Sequence, residues 1–258
     1  MFPALFLSHG SPMMALEPSP ARDFLSELGP ALGRPDAILV ASAHWETEDP
    51  KLNAAAVNTT IHDFYGFPPA LHATQYPAPG APQLAERVAV LLNQAGLAAS
   101  VDRERGLDHG AWVPLTLMYP AHDIPVLQLS LQSRLGPEHH LKLGQAVAVL
   151  RAENVLMIGS GSFTHNLGRL RRGTLDAPPP ADVAAFSDWI HDALVQHRTD
   201  ELLAYRRKAP YAALQHPTEE HLLPLFVAVG AGGENAAARR LHASTTYSAL
   251  RMDAYAFG

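Results

Sequence analysis

Fourteen of the 258 residues are histidine and none is cysteine. Without thiolates there are no disulfides, iron–sulfur clusters or cysteine-bearing zinc sites, so any metal must be held by nitrogen or oxygen. Imidazole suits iron, copper, nickel and zinc, and it is also the commonest general base near neutral pH. What matters is which histidines converge. His9 follows an apolar run in Leu5-Phe6-Leu7-Ser8-His9-Gly10, and His44 ends another in Val40-Ala41-Ser42-Ala43-His44. His165 lies just beyond a third, in Gly159-Ser160-Gly161-Ser162-Phe163-Thr164-His165, where small residues let the backbone crowd a site. If these runs are strands of an open α/β sheet, the three side chains fall in the crevice outside the strands' carboxyl ends, where such folds bind ligands. His109, in Asp108-His109-Gly110, and His221, in His216-Pro217-Thr218-Glu219-Glu220-His221, are further candidates. His216 stands between a structural and a functional reading. His62, His72, His122, His139, His140, His191, His197 and His242 read as structural or solvated, with His139-His140 expected in water at the start of a helix.

Other chemistries lack their patterns. A nucleophile elbow needs Gly-x-Ser-x-Gly, which neither Gly159-Ser160-Gly161-Ser162 nor Gly10-Ser11 provides. Gly230-Ala231-Gly232-Gly233 follows a helical segment instead of opening one, so it reads as a helix C-cap and not a phosphate cradle. His216 and His221 are five apart, not the four of the helical zinc motif. The neighbours Asp108-His109 and His62-Asp63 point their side chains in different directions, so neither pair reads as a dyad.

Strand-length apolar runs alternate with segments of helical period, the pattern of an α/β fold with helices covering a sheet. Strands are expected at Ala4–Ser8, Ala37–Ala43, Leu52–Asn58, Val126–Leu131 and Val155–Ser160; their continuous hydrophobicity implies burial on both faces. Ser19-Pro20 caps a helix that Gly29 could close. Further helices are expected over Pro82–Ala95, Pro137–Glu153 and Ala181–His197. A last one, capped by Thr218, spans Glu219–Val229, with His221 in its first turn and Pro224 bending it or displacing that turn. The tail from Thr245 to Phe257 reads as one or two edge strands. The irregular segment Thr59–Gly80 is long for a plain connection, and such loops often cover a site. Nothing resembles an interdomain linker, so residues 1–258 are expected to form one domain.

Composition is ordinary for a globular chain, 47% hydrophobic and 17% charged. Nineteen basic against 25 acidic residues leave a net charge of −6. That balance gives no electrostatic footprint for nucleic acid or an anionic membrane. No apolar run approaches the roughly 18 residues of a membrane span, and Met1–Leu7 lacks the marks of a signal peptide, so a cytoplasmic location is expected.

Seven motifs, in order, carry a resemblance that covers nearly the whole chain. They are Leu7-Ser8-His9-Gly10-Ser11-Pro12-Met13, Ser42-Ala43-His44-Trp45, Ile61-His62-Asp63-Phe64-Tyr65-Gly66-Phe67-Pro68, Tyr76-Pro77-Ala78-Pro79-Gly80, Gly106-Leu107-Asp108-His109-Gly110-Ala111-Trp112, Thr164-His165-Asn166-Leu167 and His216-Pro217-Thr218-Glu219-Glu220-His221. With them the sequence resembles the class III extradiol ring-cleaving dioxygenases, most closely the 4,5-DOPA dioxygenase-like branch. The resemblance implies a single three-layer α/β/α domain with a mostly parallel or mixed sheet. It implies metal ligation by His9, His44 and His221, an acid/base role for His165, and a place in the site for His109, there expected to donate a hydrogen bond to bound oxygen. It further implies Fe(II), with a small aromatic diol and O2 as partners and ring opening beside the diol. Many class III enzymes use a carboxylate as the third ligand, whereas that position here is His221, with Glu219 and Glu220 close by. Three imidazoles equally suit Zn(II), which leaves a zinc hydrolase or lyase open beside the dioxygenase, and a non-catalytic binding protein on the same scaffold is the third reading. Arg169, Arg206, Arg207 and Lys208 are candidates to meet a substrate carboxylate or else surface charges. Trp45, Phe64, Tyr65, Phe67 and Trp112 would either flank an aromatic ring or pack in the core.

Overall fold

Apolar runs that are buried on both sides become the strands of one mixed sheet in the computed structural model, which describes residues 1–171 and 175–258. The strands are β1 (Ala4–Ser8), β2 (Ala37–Glu46), β3 (Lys51–Asn53), β4 (Ser100–Asp102), β5 (Val126–Leu131), β6 (Val155–Gly161), β7 (Ala238–His242), β8 (Thr245–Thr246), β9 (Leu250–Arg251) and β10 (Ala254–Phe257). Eight of them run in the order β4-β3-β5-β2-β6-β1-β10-β7, and β8 and β9 pair separately. β5, β2, β6 and β1 are parallel, while β10 joins β1 antiparallel and β7 joins β10 antiparallel.

Helices cover both faces. α1 (Pro20–Leu32) and α3 (His109–Met118) pack on one side, burying Leu25, Leu28, Trp112 and Leu115 against Leu5, Leu7 and Ile38. α2 (Pro82–Gln94), α4 (Gly136–Val147), α5 (Ala181–Val195) and α6 (Leu223–Gly232) lie on the other, burying Val88, Leu143, Phe186 and Phe226 against Phe6, Leu39 and Leu129. Each such fully buried side chain contributes about 1.5–3 kcal/mol relative to exposure. The fold is thus the α/β class expected from the sequence. Among the described residues no helix is long and apolar enough to cross a membrane.

Several boundaries differ from expectation for local reasons. α1 runs past Gly29 to Leu32 and stops at Gly33, whose φ is +86°. Gly29 instead lies against α3, where a Cβ would meet the Met118 carbonyl oxygen at 2.0 Å. β3 ends at Asn53 because Asn53 and Asn58 turn their amides inward, Asn58 Nδ2 donating to the Val126 carbonyl at 3.0 Å and tying down the irregular segment that follows. Helix Pro137–Glu153 is α4 followed by a tighter 3-10 stretch, Ala148–Glu153. The last helix starts only at Leu223, with Pro224 in its first turn, so His221 precedes the helix. Gly233, at φ +100°, is its C-cap. The last strand of the tail is not an edge: β10 is inserted between β1 and the unanticipated edge strand β7, while β8 and β9 of the tail pair with each other outside the large sheet.

Candidate metal centre

Register brings the first two histidines level. Leu7 of β1 and Ser42 of β2 both pair with Ser160 of β6, so His9 and His44, each two residues further on, emerge at the same height beyond it. Gly10 turns the chain sharply after His9, with φ +59°. His221 arrives from the opposite direction. Its carbonyl accepts the Ser162 backbone N–H at 2.8 Å, and it fits there because Gly161 has no side chain; a Cβ would lie 2.1 Å from that carbonyl oxygen.

The three rings turn their Nε2 atoms toward one another. His9 Nε2 and His44 Nε2 are 3.0 Å apart, and His221 Nε2 is 3.3 Å from His44 Nε2. Each Nδ1 edge faces outward. Ser160 Oγ donates its hydrogen to the Gly110 carbonyl, so it can only accept from His9 Nδ1, at 3.1 Å. Glu220 Oε1 accepts from His221 Nδ1 at 2.8 Å, and Asp63 Oδ2 lies 3.4 Å from His44 Nδ1. Hydrogens held at Nδ1 leave lone pairs at Nε2, and three lone pairs facing one point are the preparation that metal ligation requires. Burial, reinforced by the neighbouring imidazoles, pushes His9 and His221 well below the ordinary histidine range, and burial above all takes His44 down to about 3. The rings are therefore neutral donors. Three such donors with carboxylates behind two of them fit a divalent first-row ion.

His165 and His109 flank this group. The His165 ring stacks on His221, centroids 3.4 Å apart, and its backbone N–H is fixed by the Gln215 carbonyl at 2.9 Å. Burial lowers it to about 4, partly opposed by Glu220. His109 opens α3, its ring 3.8 Å from that of His44. Asp63 holds it twice, Oδ1 accepting the backbone N–H at 3.0 Å and Oδ2 accepting Nδ1–H at 2.9 Å. A neutral His109 held in this way presents a bare Nε2, so the hydrogen-bond donor role expected for it requires the doubly protonated ring. The dyad the sequence concealed is thus Asp63 with His109, paired across 46 residues while each is also part of a neighbouring pair that points elsewhere. Asp108, for its part, is fully buried and binds Ser42 Oγ at 2.6 Å, Gln128 Nε2 at 2.8 Å and Arg105 Nη2 at 3.1 Å, beneath His44.

The remaining candidates lie elsewhere. His216 is completely buried, Nε2 donating to the Phe163 carbonyl at 3.1 Å, so it braces the loop that carries His165. His62 contacts the Thr74 carbonyl at 2.9 Å, His191 the Tyr255 hydroxyl at 3.0 Å, and His242 the Ser244 hydroxyl at 2.8 Å. His140, expected in water, is fully buried, because its Nδ1 donates to the Gly136 carbonyl at 2.7 Å and its Nε2 accepts the Gln132 N–H at 3.2 Å. Arg169 is engaged by Asp182, Arg206 by the His216 and Pro217 carbonyls, and Lys208 by Glu201, while Arg207 is exposed. Trp45 lies under the Arg105 guanidinium, Trp112 donates to the Ile61 carbonyl at 2.9 Å, and Phe64 packs between Phe67 and His109; Tyr65 is 92% exposed.

Comparison with known proteins agrees with the fold. Residues 3–258 match the model of the catalytic LigB subunit of aromatic ring-opening dioxygenase. A protein of Beta vulgaris named 4,5-DOPA dioxygenase extradiol is 48% identical, the match covering 98% of this chain and 95% of that one. Its namesake in Escherichia coli K12 is 41% identical over 89% of this chain and 84% of its own. The crystal structure of an uncharacterized protein from Escherichia coli K12 superposes with a TM-score of 0.82 at 32% identity, each chain covered completely. The chain belongs to the LigB family of class III extradiol, ring-opening dioxygenases.

Proposed function

We propose that residues 1–258 form one catalytic domain that opens the ring of a catechol-type substrate beside its diol, using non-haem Fe(II) held by His9, His44 and His221. The observation that carries this reading is His44 Nε2 lying 3.0 Å from His9 Nε2 and 3.3 Å from His221 Nε2, with each Nδ1 edge turned to a partner outside the group. Fe(II), when bound, supplies the electronic link between an electron-rich diol and O2 that a closed-shell ion such as Zn(II) lacks. Neutral imidazoles cancel none of the cation's charge, so the site favours a diol that has lost both protons.

His165 receives one of those protons. Burial keeps it unprotonated at neutral pH, and its stacking on His221 sets it against the ligand group. Once protonated, it is placed to return the proton during cleavage. His109, with Asp63 on Nδ1, keeps Nε2 to accept a hydrogen bond as the neutral ring or donate one as the protonated ring. The relatives' names make DOPA the first substrate to try.

The test is anaerobic loading with Fe(II) or Zn(II), followed by oxygen uptake on a panel of substituted catechols. Uptake with iron and none with zinc is expected. Hydrolytic turnover with zinc and no oxygen uptake with iron would replace this reading with a zinc hydrolase or lyase.

A further inference from the structure

We propose that Asp63 is a positioning residue of this centre, a single carboxylate that sets His109 and the metal-facing His44 together. The inference rests on the reading of His9, His44 and His221 as ligands, and it concerns a residue outside that set. Both carboxylate oxygens bind the same residue, Oδ1 the His109 backbone N–H at 3.0 Å and Oδ2 its Nδ1–H at 2.9 Å. A ring held from its own backbone and its own edge by one rigid group has neither rotational freedom nor a choice of tautomer. The same Oδ2 stands 3.4 Å from His44 Nδ1, and the two rings are 3.8 Å apart. His44 Nε2 meanwhile faces His9 Nε2 at 3.0 Å, so Asp63 lies behind His44 and not among the atoms that would touch the ion.

The carboxylate is itself fixed. Thr59 and Ile61 exchange two backbone hydrogen bonds with Leu107, both 2.8 Å, and the Trp112 indole N–H holds the Ile61 carbonyl at 2.9 Å. The segment that carries Asp63 is thereby joined to both the approach and the first turns of α3, and α3 carries His109. The Asp63 side chain remains 23% exposed, which places it at the rim of the site with its oxygens turned to His109.

Asp63→Asn keeps the shape but offers one acceptor and one donor where His109 presents two donors. Either the ring flips its tautomer or one contact is lost. The expected result is a fall in kcat of about 100-fold with KM changed less than about 3-fold, and a loss of Fe(II) or Co(II) affinity of about 10-fold in anaerobic chelator competition, the size usual for a group supporting a ligand. The Co(II) absorption bands should shift as well. In a double-mutant cycle with His109→Ala, Asp63→Asn should cost little further kcat, since the group it acts through is gone. Asp63→Glu, which keeps the charge, should recover metal affinity better than Asp63→Ala. Wild-type affinity and an unchanged Co(II) spectrum in Asp63→Asn would overturn the assignment, as would an equal kcat loss with and without His109. The metal measurements need no catechol turnover, so they decide the role of Asp63 even if the proposed reaction fails.

Discussion

Replacing Glu220 separates the support of a ligand from ligation itself. Glu220 Oε1 accepts the His221 Nδ1 hydrogen at 2.8 Å and the Thr218 hydroxyl at 3.0 Å, with the two side chains 17% and 6% exposed. Glu220→Gln leaves an acceptor oxygen in reach but removes the charge. A hydrogen bond to a charged group contributes about 1.5–3 kcal/mol against about 0.5–1.5 for a neutral one, so the change costs about 1.4 kcal/mol, or about tenfold in metal affinity. Glu220→Ala strands a buried N–H and frees the ring, for a loss of up to about 100-fold. The assay is Fe(II) or Zn(II) competition against a chromophoric chelator without oxygen. The expected order is wild type, then Gln, then Ala. Equal affinity in all three would refute the reasoning that outward hydrogen bonds prepare Nε2. A loss beyond about 10³ in both variants would refute it differently, by making Glu220 itself the ligand.

Other outcomes follow from the same geometry. His165→Ala should bind metal with near wild-type affinity and lose about 100-fold or more in kcat, measured by oxygen uptake on the Fe(II) enzyme. His140, lowered by burial to about 4 from an ordinary 6.5, contributes stability that is fully present above pH 6.5 and lost as pH falls toward 4. At about 1.36 kcal/mol per pH unit over about 2.5 units that is about 3 kcal/mol, read as the difference between wild type and His140→Gln in urea midpoints from pH 7 to pH 4. Gly144→Ala places a Cβ 2.1 Å from the Val227 carbonyl oxygen and should lower the thermal midpoint by about 3–10 °C without touching metal affinity, whereas Gly161→Ala, equally close to the His221 carbonyl, should lower both. Removing the metal with a chelator should lower the midpoint too, since free ion at 100 times Kd stabilises the folded state by about 2.7 kcal/mol.

Where a residue's neighbours decided its role, the sequence was readable. Ala4–Ser8 and Val126–Leu131 are mostly apolar and buried throughout because they are central strands, and their bounds in the fold match. His9 and His44 end such runs, so their convergence followed from the rule for parallel sheets. His221 carried no such mark, because the Glu219–Val229 periodicity pointed to a helix and the proline moved its start beyond His221. Asp63 was not singled out, and His140 was misjudged, for a different reason. Both depend on partners distant in the chain or across a turn, His109 for one and the Gln132 N–H for the other, and adjacency gives no sign of either. β10 looked like an edge because β7, which covers it, is rich in arginine and lacks a strand's apolar alternation.

The convergence of the ligands owes as much to what β6 lacks as to the histidines. Ser160 pairs with Leu7 on one side and Ser42 on the other, which fixes His9 and His44 at one level; its hydroxyl then sets the His9 tautomer. The third nitrogen must come from chain that crosses the end of the sheet, and it can approach only if β6 presents no side chain there. Gly159 and Gly161 share that face, where a Cβ would meet the Pro224 carbonyl at 2.0 Å and the His221 carbonyl at 2.1 Å. Alternation along a strand therefore divides the work: Ser160 faces the His9 and His44 side, and the glycines beside it admit His221 from the other. A larger residue at either glycine would leave all three histidines in the sequence and displace the one whose lone pair closes the group.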